Sequence, residues 1–291
     1  MSKVRIAAAG VGLAAALVGT GVALHGSADG DGRAVRLAAA SGHVAGGPGA
    51  AGAGKTKQYL QFNIAGNSMH GGKVTPAKTV VSDVKARLPY VVTLNEVCGT
   101  QFDYIEEHLA SYGYRAQHGH TGVNCKDGSA FGNVVLIKIA SERIGNWKLP
   151  NPVNGEHRRL LCVKATNYAM AACATHISYG KDDKEAQVSA VAARMAKLRA
   201  KGYRVILGGD FNLQPHHAQL DPIYASCYPS GSGAMYEAAA HRCGARDGAP
   251  TVDGKWKLDY LFFTGQYEGL QATTTSTPVS DHTELWATAT Y

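Results

Sequence analysis

The chain opens with one long apolar run and then alternates short apolar segments with polar ones. Residues 6–24 are dominated by Ala, Val, Leu and Gly, and Lys3 and Arg5 precede them. A short basic stretch before such a run is typical of a signal for export across a membrane. We expect residues 1–40 to be removed, with cleavage after Ala40 or nearer Ala28. An uncleaved membrane anchor is the alternative, because the run is just long enough to span a bilayer.

A stretch rich in Gly and Ala follows at residues 41–56 and is predicted to be a linker. Within it, residues 49–56 fit the phosphate-loop pattern GxxxxGK[ST] letter for letter. That pattern binds phosphate only when a strand precedes the loop and a helix follows it. Here the upstream residues are low in complexity and the downstream ones resemble a strand, so we reject a nucleotide site.

Residues 57–291 alternate β-rich runs with helical ones, which predicts a mixed α/β domain. The predicted strands are residues 59–64, 90–94, 133–137, 160–164, 171–176, 204–207, 258–263 and 284–290. Two helices are predicted at 101–111 and 184–201, the second from apolar positions at near-helical spacing.

Composition narrows the class of protein. Of 291 residues, 45% are hydrophobic and 18% charged, which excludes a disordered chain. The formal net charge is +7 from 29 basic and 22 acidic residues, and removal of residues 1–40 leaves about +5. This balance favours a polyanionic partner.

Six cysteines in an exported chain favour disulfides, and the absence of a CxxC pair argues against zinc. Cys162 and Cys173 lie symmetrically about a turn, and Cys227 and Cys243 bracket a Gly- and Ala-rich loop. We hypothesise that these two pairs form and, by elimination, that Cys98 pairs with Cys125.

Polar side chains end or follow several of the predicted apolar strands. Each alone is typical of a turn, a cap or a core histidine, but burial of unpaired polar groups is costly and six such positions recur in one domain. Together they supply oxygen ligands for a hard cation, two imidazoles and two further carboxylates, which suits metal-assisted phosphoester hydrolysis. They are Asn63, Glu96, His176, Asp210 with Asn212, Asp259, and Asp281 with His282.

The motifs FNIAGN, LNEVC, THIS, GGDFN, LDYLFF and SDH, in this order, resemble the endonuclease/exonuclease/phosphatase superfamily, which has the DNase I-like fold. The resemblance covers residues 57–291. It implies a four-layer α/β/β/α sandwich, in which two packed mixed β-sheets are flanked by helices. It also implies a site at one end of the sheets and divalent-metal-dependent cleavage of phosphoester bonds.

The same resemblance implies a role for each position. Glu96 resembles the principal metal ligand, with Asn63 and Asp281 beside it, and Mg²⁺ is the expected ion, with Ca²⁺ or Mn²⁺ as alternatives. Asp210 resembles the carboxylate that orients or deprotonates the attacking water, and Asn212 the amide that holds a phosphate oxygen.

His282 and Asp259 resemble the family's His–Asp pair, and His176 resembles the histidine that contacts the scissile phosphate. The sequence leaves open whether Asp210 or the Asp259–His282 pair is the base. Arg158 is the expected phosphate clamp, with Arg159 as the alternative on the other strand face. Some family nucleases pair the residue corresponding to His176 with an upstream carboxylate, but residues 114–120 offer none.

Export, the positive charge and basic residues beside the motifs favour nucleic acid as substrate. Those basic residues are Lys126, Lys138, Arg158, Arg159, Lys255 and Lys257. We therefore expect a secreted, nonspecific endonuclease that acts as a monomer without an obligate protein partner. The alternatives are a sphingomyelinase-type phospholipase C or a phosphomonoesterase of the same fold, acting on a lipid or small phosphoester, and, more remotely, a binding module that has lost catalysis.

Overall fold

Two six-stranded β-sheets pack face to face, and helices cover their outer faces. The computed structural model describes residues 54–150, 156–180 and 184–291. The expected export signal and most of the linker lie outside them. Thr56, the last residue of the phosphate-loop match, begins a strand rather than a helix.

In chain order the elements are β1 (Thr56–Asn63), α1 (Thr75–Arg87), β2 (Val91–Cys98), α2 (Gly99–Ala110), β3 (Arg115–Asn124), β4 (Ala130–Ile137), β5 (Ser141–Lys148), β6 (Arg159–Ala165), β7 (Met170–His176), α3 (Lys184–Ala200), β8 (Arg204–Asp210), β9 (Met235–Glu237), β10 (Asp259–Thr264), β11 (Glu268–Thr275) and β12 (Glu284–Thr290). The first sheet has the order β11-β12-β1-β2-β4-β3 and the second β5-β6-β7-β8-β10-β9. Both are mixed, because β1 and β2 are parallel, as are β7 and β8, whereas the other neighbouring strands are antiparallel.

Alternation along the strands explains the layers. On β1, Tyr59 packs between the sheets, whereas Leu60 and Phe62 pack with α1 and α2 on the outer face. On the second sheet, α3 covers the outer face with an apolar stripe that includes Val188 and Val191. The predicted four-layer sandwich is thus confirmed.

All eight predicted strands form, and the four unpredicted ones are the edge strands of the two sheets, β3, β11, β5 and β9. Three of these carry exposed or half-buried polar residues on both faces, and β9 has only three residues. Most positions of these three strands are exposed or half-buried, so their sequences lack the apolar–polar alternation that predicts a strand with one buried face. Both predicted helices form, and α1 was not predicted because its apolar stripe rests on the β-branched Val80, Val81 and Val84.

All three hypothesised disulfides are present, and no described cysteine is free. Cys162 and Cys173 occupy directly opposed positions of β6 and β7. Disulfides persist in oxidising compartments, so their presence is consistent with an extracellular protein. Along the described ranges, no helix has the length and apolarity needed for a membrane span.

Glu284 of β12 is a buried carboxyl group whose ionisation should weaken the fold. Burial and the nearby Asp83 of α1 raise its pKa from 4.5 to about 7. The folded state therefore holds the proton more tightly than the unfolded state, and stability falls as pH rises from about 4.5 to 7. Gln cannot ionise, so we expect Glu284→Gln to abolish a pH-dependent fall in the free energy of unfolding of up to about 3 kcal/mol. Urea unfolding of both proteins at pH 4.5, 7 and 8 tests this, and parallel pH profiles would contradict it.

Candidate active site

The strand directions bring the predicted site residues to one edge of the sandwich. Asn63 ends β1 and Glu96 lies near the end of the parallel strand β2. In the second sheet, His176 and Asp210 end the parallel strands β7 and β8 and are register partners. Asp259 begins β10 opposite Asp210, because these two strands are antiparallel.

His282 reaches the same place from the segment before β12. Hydrogen bonds from its backbone N–H to Ser280 Oγ, and from Ser280 Oγ to Asn63 O, hold that segment against the end of β1. The site thus draws on both sheets, as the motifs imply.

Asp210 lies at the centre of this group. Its Oδ2 accepts a hydrogen bond from Asn63 Nδ2 at 3.1 Å and lies 3.4 Å from His176 Nε2 and 3.7 Å from His282 Nε2. Its Oδ1 accepts one from the backbone N–H of Asn212 at 2.9 Å. Burial and the charge of Asp259 raise the pKa of Asp210 to about 7, which suits a group that takes up and releases a proton near neutrality.

The two histidines differ in charge. Burial alone would lower the pKa of His282, but Asp259 Oδ2, 2.8 Å from Nδ1, raises it to about 10 with help from Asp210 and Asp281. Burial, Arg158 and His282 together lower the pKa of His176 well below its usual value. His282 is therefore an imidazolium at neutral pH and His176 is neutral.

Glu96 lies in a β-bulge of β2, where the pairing with β4 shifts between Leu94 and Val97. Its φ of 58° belongs to the left-handed region, which few residues other than glycine adopt. Bulges redirect side chains at the ends of strands. The half-buried carboxylate accepts hydrogen bonds from Asn63 Nδ2 and Ser68 Oγ, each at 3.2 Å.

The donor set at this edge fits a hard divalent cation. Glu96, Asp210 and Asp259 bring three carboxylates to this edge, and carboxylate oxygens are the ligands that a hard cation prefers. Ligand atoms of Asp210, Asp259 and His282 also lie within 4.8 Å of one another, but a metal there would have to displace the proton that the raised pKa of His282 keeps on the ring.

The two residues expected beside Glu96 differ in orientation and exposure. Asn63 is adjacent to Glu96, but its Oδ1 accepts a hydrogen bond from Ala65 N and its amide nitrogen faces the carboxylates. Asp281 is exposed and close enough to His282 to raise that residue's pKa.

Arg158 and Arg159 point in different directions. Arg158 is 5% exposed, lies 3.1 Å from Glu156 Oε1 through Nη1, and is near enough to His176 to lower its pKa. Arg159 donates instead to Asn146 O on the neighbouring strand. Arg158 is thus the arginine at the site. Glu156 precedes Arg158 by two residues in the sequence, and this Glu-x-Arg setting, which favours Arg158 as the clamp, is formed as an ion pair in the structure.

Two of the expected substrate-binding lysines are placed elsewhere. Lys257 is buried, with Nζ 2.6 Å from Glu237 Oε1 and hydrogen-bonded to Asp259 O, so it supports the site from below. Lys138 follows β4 at the end remote from Glu96. Lys126 and Lys255 are exposed.

One lysine at the site was missed by sequence reasoning. Lys184 donates to Asn212 O at 2.7 Å, and Asn212 Nδ2 donates to Ile177 O beside His176. The only sequence signal for Lys184 is its position at the start of α3.

The Endonuclease/Exonuclease/phosphatase family model matches residues 60–282. No curated protein matches the chain. The fold is similar to truncated TDP2 of Caenorhabditis elegans, with 19% identity, a TM-score of 0.57 and coverage of 81% of this chain and 98% of that one.

Two further solved structures are similar over 81% of this chain. The human Nocturnin catalytic domain with bound sulfate has 15% identity, a TM-score of 0.61 and 94% coverage of its own length. A mannosyl-6-phosphatase of Bacteroides thetaiotaomicron has 14% identity, a TM-score of 0.59 and 100% coverage of its length.

Proposed function

The chain belongs to the endonuclease/exonuclease/phosphatase family, whose members hydrolyse phosphoesters, and on this premise we propose that it is an exported, divalent-metal-dependent endonuclease without sequence preference. We assign the activity to residues 57–291, behind an export signal and a linker. The observation that carries the proposal is the arrangement of His176 and His282 around Asp210 Oδ2, 3.4 Å and 3.7 Å away, at the edge of the sandwich.

In this proposal water attacks phosphorus in line with the leaving oxygen. A new P–O bond forms to the water, whose proton passes to Asp210 Oδ2. The bond to the leaving oxygen breaks with its electron pair going to that oxygen, which takes a proton from solvent. His282 already carries a proton on both ring nitrogens, because its pKa is about 10, so we assign the base to Asp210.

The remaining residues hold the phosphate. The His282 imidazolium, the Asn212 amide and the buried Arg158 stabilise negative charge as it develops on the phosphate oxygens, and His176 contacts the scissile group. A divalent cation at Glu96, with Asp281 and Asn63 beside it, would supply a Lewis acid that polarises the phosphate.

Nucleic acid suits the surface near the site. Tyr179, three residues after His176, is 63% exposed, and Trp256, three residues before Asp259, is 48% exposed. Exposed aromatic rings beside a phosphate site can stack on bases, and Lys126 and Lys255 can contact flanking phosphates. Export is supported by the amino-terminal signal and the three disulfides.

A phosphomonoesterase is the second candidate, because one structure of similar fold is named a mannosyl-6-phosphatase.

The exported protein, with disulfides intact, should be incubated with supercoiled plasmid, RNA, sphingomyelin vesicles and a sugar phosphate. We expect nicked plasmid with Mg²⁺, Ca²⁺ or Mn²⁺ and intact plasmid with chelator, because the proposed reaction uses a divalent cation to polarise the phosphate.

Glu96→Gln should need more Mg²⁺ than the wild type, and Glu106→Gln on an exposed helical face is the matched control. Turnover confined to sphingomyelin or the sugar phosphate would assign the alternative activity. A folded protein that hydrolyses none of the four substrates would indicate a binding module.

A further inference from the structure

A network of buried polar side chains lies directly below the site, between the two sheets. At the far end of the sheets the inter-sheet layer is apolar, as at Tyr59 and Phe263. Towards the site the inward positions of the first sheet become polar. They are Gln61 on β1, Thr93 and Asn95 on β2 and Asn133 on β4, all at most 2% exposed.

Asn95 makes four hydrogen bonds, which use the full capacity of its amide. Its Oδ1 accepts from the backbone N–H of Asp210 at 3.0 Å and from Gln61 Nε2 at 2.7 Å. Its Nδ2 donates to Asn133 Oδ1 and to Thr175 O, each at 2.9 Å. Two of these partners belong to the second sheet, one being Asp210 itself and the other the residue before His176.

Gln61 extends the network to the second catalytic carboxylate. Its Nε2 donates to Asp259 Oδ1 at 3.2 Å, while Asp259 Oδ2 remains bonded to His282. Its Oε1 accepts from Thr93 Oγ1 at 2.6 Å. Gln61 therefore fixes which oxygen of Asp259 faces the histidine.

The two sheets lie close enough together for Asn95 and Gln61 to bond directly to the second sheet. Gly208, two residues before Asp210 on β8, packs under Thr93, and a Cβ there would overlap Thr93 Oγ1 and lie 2.9 Å from Thr93 Cβ. The absence of a side chain at Gly208 thus leaves room for the polar side chains of the first sheet.

The catalytic groups are divided between two separate sheets, with Asn63 and Glu96 on the first and His176, Asp210 and Asp259 on the second. We propose that Asn95, assisted by Gln61, is a positioning residue that sets the distance between these two halves of the site. The inference rests on the proposed function, because the two halves must meet at one phosphate. In the LNEVC motif, Asn95 would thus position the second sheet, whereas the adjacent Glu96 would hold the metal.

The test compares Asn95→Ala, which removes all four hydrogen bonds, with Asn95→Asp, which keeps an acceptor for Asp210 N–H and Gln61. We expect Asn95→Ala to lower kcat by about tenfold to a hundredfold, with KM and the half-saturating Mg²⁺ within about twofold of the wild type. Asn95→Asp should restore part of the loss. Amide hydrogen exchange at Asp210 should accelerate in Asn95→Ala by about tenfold or more.

Thr264→Val is the matched control, because it removes a buried hydrogen bond to Val205 N at the opposite end of β10. It should lower the urea midpoint and leave kcat unchanged, and exchange at Asp210 should accelerate by no more than the loss of global stability accounts for. If Asn95→Ala does not fold, Gln61→Met provides the same test through Asp259.

Folded Asn95 or Gln61 variants with wild-type kcat would overturn the positioning role. A wild-type protein inactive on every phosphoester would instead refute the proposed function, and the exchange rate at Asp210 would still report on the network.

Discussion

Asp210→Asn is expected to lower kcat for plasmid cleavage by at least about a hundredfold while the protein remains folded. Asparagine has the same shape and can still accept the hydrogen bond from Asn212 N–H, but it cannot take up a proton. The substitution also removes a negative charge that helps keep His282 protonated. Initial rates at saturating Mg²⁺, with urea unfolding of both proteins, measure the effect.

Asp103→Asn on the exposed face of α2 is the matched control and should keep the wild-type rate. A folded Asp210→Asn protein with a rate within about threefold of the wild type would contradict the assignment of the base. The Asp259–His282 pair would then be the remaining candidate for that role.

Gly208→Ala is expected to destabilise the protein by about 3 kcal/mol or more, because the new methyl group would force the two sheets apart below the site. Its Cβ would overlap Thr93 Oγ1 and lie 3.1 Å from Gln61 Oε1. Buried backbone and side chains on both sides leave little room for relaxation. Urea unfolding at neutral pH gives the change in free energy.

Gly180→Ala is the control for this substitution, since a Cβ there meets no atom of the described residues within 4 Å. Combining Gly208→Ala with Thr93→Ala should recover part of the loss, because the clash is with Thr93. An additive double variant, or a Gly208→Ala protein as stable as the wild type, would contradict the packing argument.

The central part of the fold could be predicted from sequence because central strands are buried on both faces and their apolar runs are unbroken. β4 and β7 are examples, since nearly every residue of each is buried. The edge strands could not be predicted in this way. β5, for instance, is half-buried or exposed along its whole length, so its sequence carries no alternation.

The candidate site shows the same division. The motifs supplied the residue types, and the structure brings most of them together at one edge. The motifs could not predict the contacts that depend on how the two sheets pack against each other. Lys257 is adjacent to the LDYLFF motif, yet it forms a buried ion pair with Glu237 and does not face a substrate. The Asn63 amide orientation is likewise fixed by Ala65 N, a backbone group that no motif describes.

The pairing of β1 with β12 has a consequence for synthesis. Thr56 and Thr290 are hydrogen-bonded neighbours although 234 positions separate them. β1 leaves the ribosome first among the strands and waits without this neighbour until β12 has been translated, and His282 also comes late. A nascent chain therefore lacks both the β12 neighbour of β1 and His282 until nearly the whole domain has been translated. The order of translation thus leaves the first sheet and the candidate site incomplete until the last strand has been made.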